Sequence, residues 1–241
     1  ETVETELMLA DLDSLERRVD AAGKKARAKD KQALQEMPVM TRILEALREG
    51  RPARVITDWS REERVIVRRL QLLTTKPVLY VCNVDEESAA DGNALSARVA
   101  ERAATEGAET VIISAAIEAE ISQLPSAEEK QEFLDTLGLA EAGLARLIAS
   151  GYRLLDLITF FTVGPKEARA WTVRRDATAP QAAGVIHSDF ERGFIRAETI
   201  AYTDFEALGG EQGAKDAGKM RVEGAEYLVQ DGDVFHFRFN V

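Results

Sequence analysis

Cysteine and histidine are almost missing from this sequence. A single cysteine, Cys82, leaves no partner for an intrachain disulfide, which fits a reducing, cytoplasmic setting. With only two histidines beside it, a structural zinc site lacks ligands, and no metal site is expected. No run approaches the roughly 18 apolar residues that span a bilayer, so no membrane segment is expected. The N-terminus, Glu1-Thr-Val-Glu4, is acidic and carries no apolar core of a signal peptide. It also carries no initiator Met, and its opening inside an amphipathic helix pattern predicts residues upstream. Internal repeats and low-complexity tracts are absent.

What remains is an ordinary globular composition, 45% hydrophobic and 30% charged, over a length that suits one large or several small domains. The net charge of −11 is unevenly spread: residues 1–76 sum to +2, 77–156 to −10 and 157–241 to −3. The basic excess is concentrated in Lys24, Lys25, Arg27, Lys29 and Lys31. Such a cluster on an acidic protein either steers it toward a polyanion such as RNA or is a solvated helix tip.

Met8, Leu12, Leu15, Val19 and Ala22 recur at helical spacing and predict a helix over about 4–28. Leu34, Met37, Met40, Leu44 and Leu47 predict a second over 31–49, with Pro38 marking a kink or restart. Two narrow-seamed helices joined by a charged turn predict an antiparallel, coiled-coil-like hairpin. Ser60 is placed to cap a third helix, with Glu62 and Glu63 in its first turn.

The texture then changes. Pro77-Val-Leu-Tyr-Val-Cys82 reads as a strand buried on both faces, residues 88–106 as a helix, and Thr110-Val-Ile-Ile113 as a second buried strand. This is a parallel βαβ unit, and the further strands of such a sheet are expected upstream of Glu1. Helix follows over about 126–137 and 141–150. From Leu157 onward, short strands are expected at Leu157–Val163 and Ala170–Val173. A loop or short helix is expected at Ala179–Ala183, and a hairpin joins Tyr227–Val229 to Val234–Phe239. The fold class is therefore α/β followed by a compact α+β module built around one small helix. Trp171, Phe160 and Phe161 are expected in its core; Phe190 and Phe194 belong either to that core or to a surface for bases or protein.

Two loops fall at the carboxyl ends of the successive parallel strands, where ligands bind in open α/β sheets. Asn83-Val84-Asp85-Glu86 follows the first. Its Asn amide can both donate to and accept from a purine edge. Ser114-Ala115-Ala116 follows the second, with side chains small enough for backbone N–H groups to approach a flat base. Taken singly, each is also a plain turn.

Together with Thr5-Glu-Leu-Met-Leu-Ala-Asp-Leu-Asp13 these segments resemble the YchF family of Obg-like ATPases, in the TRAFAC class of the P-loop GTPase superfamily. Ile186-His187-Ser-Asp189-Phe190, Gly193-Phe194-Ile195, Gly218-Lys219, Arg221, Glu223-Gly224 and Asp231-Gly-Asp-Val234 through Val241 are similar to the family's C-terminal TGS domain, a ubiquitin-like β-grasp. The resemblance implies a nucleotide-binding (G) domain remnant over 1–15 and 70–156, an inserted helical hairpin over 16–69 and a TGS domain over 157–241.

It also implies a base-binding set of Asn83, Val84, Glu86, Ser114, Ala115 and Ala116. Most relatives in the superfamily read Asn-Lys-x-Asp at the first of these loops. Here Glu86 stands in the Asp position, the pattern associated with ATP over GTP. The motif G-x-x-x-x-G-K-[ST], which grips phosphates and Mg²⁺, does not occur in the 241 residues. Catalytic groups are therefore not assigned; His187 and His236 are expected to be structural. The chain as given is not expected to hydrolyse nucleotide, and Mg²⁺ belongs to the complete protein. The resemblance implies a cytoplasmic, monomeric ATPase switch associated with the ribosome or ribosomal RNA. A non-catalytic RNA-, ribosome- or protein-binding module is the alternative.

Overall fold

The computed structural model describes residues 2–240; Glu1 and Val241 lie outside them. The chain divides into two compact units, residues 1–120 and 121–241.

In the first unit, helix α1 (Thr2–Arg27) buries Leu15 and Ala22, with Met8, Leu12 and Val19 packed on the same core. Lys29 then takes a left-handed φ of 63°, and Asp30 caps α2 (Lys31–Arg48) by accepting the Ala33 N–H at 2.8 Å. The chain reverses within three residues, so α2 lies beside α1: Arg48 pairs with Glu16 at 2.8 Å, and Met40, Ile43, Leu44 and Leu47 share the core with Leu15. Pro38 does not restart the helix, which runs on through it. Proline removes the donor that the Leu34 carbonyl would use, on the exposed side of the helix, where Leu34 is 52% accessible. The same exposure takes Leu34 out of the expected seam, where Ala33 and Val39 are buried instead. Helix α3 (Arg61–Leu70) starts as its sequence predicts, with a reciprocal cap between Ser60 and Glu63.

A 3₁₀ turn (Leu73–Thr75) leads into β1 (Leu79–Asn83). Helix α4 (Ala94–Glu106) crosses to β2 (Glu109–Ile113), which pairs parallel with β1, followed by α5 (Ala115–Gln123). The α4 helix begins at 94, not 88. Asp85 first closes a 3₁₀ turn (Glu86–Ser88), and Asn93 then caps α4. Between them Gly92 has a φ of +77°, and a Cβ there would stand 2.7 Å from Ile112 Cδ1, so only glycine makes this turn without strain. The expected burial of both strand faces does not hold, because β1 is half-exposed and Val81 is 44% accessible. Among the described residues this sheet has two strands, so neither flank of β1–β2 is covered by a further strand.

One buried carboxylate ties α1 to the 3₁₀ turn that precedes β1. Asp11, 3% exposed, accepts the backbone N–H groups of Leu73 and Thr74 at 2.8 and 2.7 Å and the Thr74 hydroxyl at 2.7 Å. The Thr74 hydroxyl oxygen in turn accepts the Ala53 N–H at 3.2 Å.

The second unit holds α6 (Ala127–Thr136), α7 (Gly143–Leu154) and a five-stranded sheet. Strands β3 (Leu157–Val163) and β4 (Ala168–Arg174) form a hairpin; α8 (Ala179–Ile186) and α9 (Ser188–Arg192) follow. Next come β5 (Phe194–Ala201), α10 (Tyr202–Ala207), α11 (Glu211–Asp216), β6 (Arg221–Glu223) and β7 (Asp233–Phe239). The strand order is β4-β3-β7-β5-β6. Phe160, Phe235 and Phe237 pack with Ala179, Ala182 and Ala183 on one face, and Ile200 and Val234 pack with Ala214 on the other.

The expected hairpin between Tyr227–Val229 and β7 does not form. Leu228 makes only an isolated bridge to Thr178, while β7 inserts between β3, in parallel, and β5, antiparallel. The Asp-Gly-Asp turn causes this. Asp231 accepts the Thr159 N–H at 2.8 Å, and Gly232 donates to the Thr159 carbonyl at 2.8 Å. Both anchor the turn on β3 rather than on the preceding segment. Four short helices stand where one was expected, and β5 was not anticipated as a strand.

Two charge sites in this unit respond oppositely to pH. Hydrogen bonding by Arg238, at 2.9 Å, holds Glu198 below the usual glutamate range despite partial burial. Burial pushes Asp233 up, against bonds from Gln230 and Tyr227; the Tyr227 hydroxyl is pushed up to about 12 by burial and by its bond to Asp233.

Two outcomes are expected. Asp11→Ala leaves three buried donors without an acceptor and lowers stability in urea unfolding by on the order of 3 kcal/mol, and Asp11→Asn by about half; wild-type stability in both would show that the bonds contribute little. Glu198, with its pKa lowered, stabilises above the ordinary glutamate pKa, and this is lost as pH falls through its folded value. Asp233, with its pKa raised, works in reverse, its contribution being lost as pH rises through its folded value. Glu198→Gln should therefore flatten the acid limb of thermal stability against pH, by no more than about 1 kcal/mol for so accessible a pair. An unchanged acid limb would remove Glu198 from this account.

Candidate nucleotide-binding site

The register of the parallel pair sets the site. Leu79 lies opposite Glu109 and Asn83 opposite Ile113, so both strands end at the same level and their following loops emerge side by side. Two bonds stitch these loops together. Asn83 Oδ1 accepts the Ala115 N–H at 2.9 Å, and the Val84 N–H donates to the Ile113 carbonyl at 2.8 Å.

These bonds decide which atoms stay available. With its oxygen committed, exposed Asn83 keeps its Nδ2 donors. Val84, expected to offer backbone groups, has its N–H spent and keeps its carbonyl. In the first turn of α5 the Ala115 N–H is taken by Asn83, so the exposed Ala116 supplies the next N–H without an intrahelical acceptor. Ser114 is 3% exposed, and its hydroxyl has no hydrogen-bond partner among the described residues. A buried hydroxyl without a partner is rare, and this one lies at the strand end where the two loops meet. The donor set fits a purine: Asn83 Nδ2 matches N7, a backbone N–H matches a ring acceptor, and a backbone carbonyl matches an exocyclic amine.

The two acidic residues differ. Asp85 accepts the Ser88 N–H at 2.9 Å and closes the 3₁₀ turn. Glu86 opens that turn and is exposed. Cys82, one residue before Asn83, is half-buried.

The sequence pattern missed the supports of this site. Tyr80 donates to Glu106 at 2.7 Å, and Arg102 pairs with the same carboxylate. Burial alone would raise the Glu106 pKa, but the bonds from Tyr80 and Arg102 hold it below the glutamate range, and the Glu106 bond pushes Tyr80 up. Arg102 also lies 3.9 Å from Glu4, which pairs with Arg54. Through this chain and through Asp11, α1 is joined to β1. The available signal was Asp11, a carboxylate at the spacing of the apolar seam between Met8 and Leu15.

Lys24, Lys25, Arg27, Lys29 and Lys31 are all exposed around the α1–α2 turn. They lie about 24 Å along α1 beyond Asp11, at 1.5 Å per residue, and are not part of the base-level site. His187 caps α9, its Nδ1 accepting the Asp189 N–H at 3.1 Å, and His236 is exposed on β7. Phe190 stacks on Phe239 with centroids 3.8 Å apart. Among the described residues no helix is long and apolar enough to cross a membrane.

Comparison with known proteins places this geometry. Residues 157–240 match the family model for the YchF GTPase C-terminal region, described as a protein of unknown function (DUF933). The whole chain is 51% identical to the ribosome-binding ATPase YchF of Bacillus subtilis and 53% identical to that of Haemophilus influenzae, and it spans 66% of the length of each. The structure of the Schizosaccharomyces pombe YchF GTPase superposes with a TM-score of 0.86 at 30% identity, covering 98% of this chain and 64% of that one. A GTP-binding protein from Pyrococcus horikoshii shares the fold, with a TM-score of 0.60 at 20% identity over all of this chain and 70% of that one. In sequence and in structure, the chain belongs to the YchF family of Obg-like P-loop GTPases.

Proposed function

We propose that this chain supplies the adenine-recognition edge and the effector arm of an ATP-driven, ribosome-associated switch. The observation that carries the reading is the Asn83–Ala115 bond, which brings together the two loops expected at the base and leaves the Nδ2 donors of exposed Asn83 uncommitted. N7 is common to adenine and guanine, so Asn83 recognises a purine without choosing between them. The choice falls on the six-membered ring. An Asp at the fourth position of the loop would accept guanine's ring N–H and amino group. Here that position is Glu86, in a 3₁₀ turn closed by Asp85. Guanine would leave two donors unpaired, costing about 1–3 kcal/mol, or roughly tenfold to a hundredfold in affinity.

Adenine instead has an amine for a backbone carbonyl such as that of Val84. The phosphate-gripping motif does not occur in this sequence, so hydrolysis and Mg²⁺ binding are assigned to no residue of it. Residues 16–69 serve as the helical arm and residues 157–241 as a TGS β-grasp; a strand order with the first and last strands of the module parallel at its centre supports the second assignment.

The names of the bacterial relatives support a ribosomal partner. A second reading, in which the chain acts as a binding module alone, rests on the five exposed basic side chains at the arm tip, none of which forms an ion pair among the described residues.

Titration of the chain with ADP and GDP should give an affinity for ADP about tenfold to a hundredfold tighter, and Asn83→Ala should weaken ADP by a similar factor with the circular dichroism unchanged. Equal affinities, or an Asn83→Ala chain that binds as well as wild type, would end the base-recognition reading. Binding of ribosomal RNA should weaken steeply with salt. Reversing Lys24, Lys25 and Arg27 to Glu should flatten the log–log salt slope by about 2–3, near one for each phosphate that is no longer neutralised. A slope indifferent to that reversal would exclude the tip from the interface.

A further inference from the structure

The two outer strands of the five-stranded sheet end it in different ways. β6 is three residues long and offers little edge. β4 has seven residues, all paired in continuous register with β3 from Leu157–Arg174 to Val163–Ala168, with no proline and no bulge. Its other side has no strand partner among the described residues, and five of its seven residues are exposed. A regular edge of this length is a template for another strand. Folded proteins ordinarily blunt such edges by shortness, bulges, proline or charge; here only charge is present, and it has one sign.

Residues 168–175 contain three arginines and no acidic residue. Arg169 shares the α8 side of the strand with Trp171 and lies over its ring at 4.1 Å. Arg174 points to the opposite side, together with Thr172, whose hydroxyl is hydrogen-bonded to Tyr152 at 2.9 Å. The acidic neighbours pair with these arginines only at the surface: Glu167 stands 4.0 Å from Arg169, Asp176 3.9 Å from Arg174 and Asp156 3.3 Å from Arg175, and all six side chains are more than half exposed. Pairing of two β4 edges would line the same arginines along one shared seam, and like charges on paired strands repel. The edge therefore selects against a second copy and in favour of an acidic strand.

We propose that the β4 edge takes an extended acidic peptide as a sixth strand, by β-augmentation. Side-chain alternation fixes its pattern. Residues directly opposite 169, 171 and 174 fall at positions one, three and six of the incoming strand, counted along β4. Acidic residues at positions one and six meet Arg169 and Arg174, and an apolar residue at position three lies against Trp171. Read parallel to β4 the motif is acid-x-apolar-x-x-acid; read antiparallel it is acid-x-x-apolar-x-acid.

Two capped peptides test this, each within a threonine-rich frame: Glu-Thr-Ile-Thr-Thr-Glu and its reversal Glu-Thr-Thr-Ile-Thr-Glu, against the full chain by amide NMR. One of them should shift and protect the amides of 168–175, and its preference over the other gives the strand direction. Binding should weaken roughly tenfold when Arg169 and Arg174 are both changed to Glu, or when both peptide acids become lysine, as expected for two cross-strand charge pairs. A version with proline at position four, which cannot extend the ladder, should not bind. Unmoved β4 amides with both peptides would overturn the proposal and leave the arginines as edge protection only. So would shifts that survive both charge reversals, or β4 protection that rises with protein concentration alone.

Discussion

The first unit turns on the carboxylate of Asp11. An α-helix satisfies its own backbone, and a parallel strand pair satisfies half of its own. A joint between them must find partners for whatever is left. The turn before β1 leaves the Leu73 and Thr74 N–H groups pointing into a buried space, and Asp11 accepts both together with the Thr74 hydroxyl. A charged acceptor with three donors makes bonds roughly twice as strong as neutral ones, and it fixes direction as apolar packing does not. The second tie, from Glu4 through Arg102 to Glu106 and Tyr80, reaches β1 itself, while Arg54 pairs with Glu4 at its start. One helix thus holds both the turn that leads into β1 and the strand that carries Asn83.

That arrangement explains why the base-level site can be economical. Its two loops need only end at the same height and touch once. The register does the first, and the Asn83–Ala115 bond does the second. Because the bond occupies Oδ1, the amide cannot flip without losing it, and the Nδ2 donors are left for another partner. On the proposed reading, recognition of a purine and selection of one purine are then separate tasks, the first for an anchored side chain and the second for the chemistry around Val84 and Glu86.

Local signals were readable where local bonds decide the outcome. Ser60 with Glu63, the seam of Met8, Leu15 and Ala22, and the placement of Asn83 and Ser114 at strand ends all survive in the structure. Distant partners were not readable. Asp231-Gly232-Asp233 has the composition of a hairpin turn, yet its bonds go to Thr159, 72 residues away in sequence, and this sends β7 into the middle of the sheet. β5 escaped notice because Arg196 and Glu198 interrupt its apolar pattern, while two of the three residues it buries, Ala197 and Thr199, are small and only Ile200 is a large apolar one. The burial expected of β1 failed for a related reason: an apolar run states what a strand can pack against, not what these residues provide.

The anchors also set the mechanical scale of the arm. Asp11 divides α1 unequally, with about 24 Å of helix between it and the basic turn at 1.5 Å per residue. The α1–α2 pair is stiffened along that length by the Leu15, Ile43 and Leu44 core and by the Glu16–Arg48 pair. A rotation of about 10° at the anchor would carry the tip through about 4 Å over such a helix, a full side-chain displacement at the tip from a sub-ångström adjustment near the joint. The Asp11 anchor is directional, because its carboxylate takes three donors at once, so the base of the arm is fixed in orientation as well as in position.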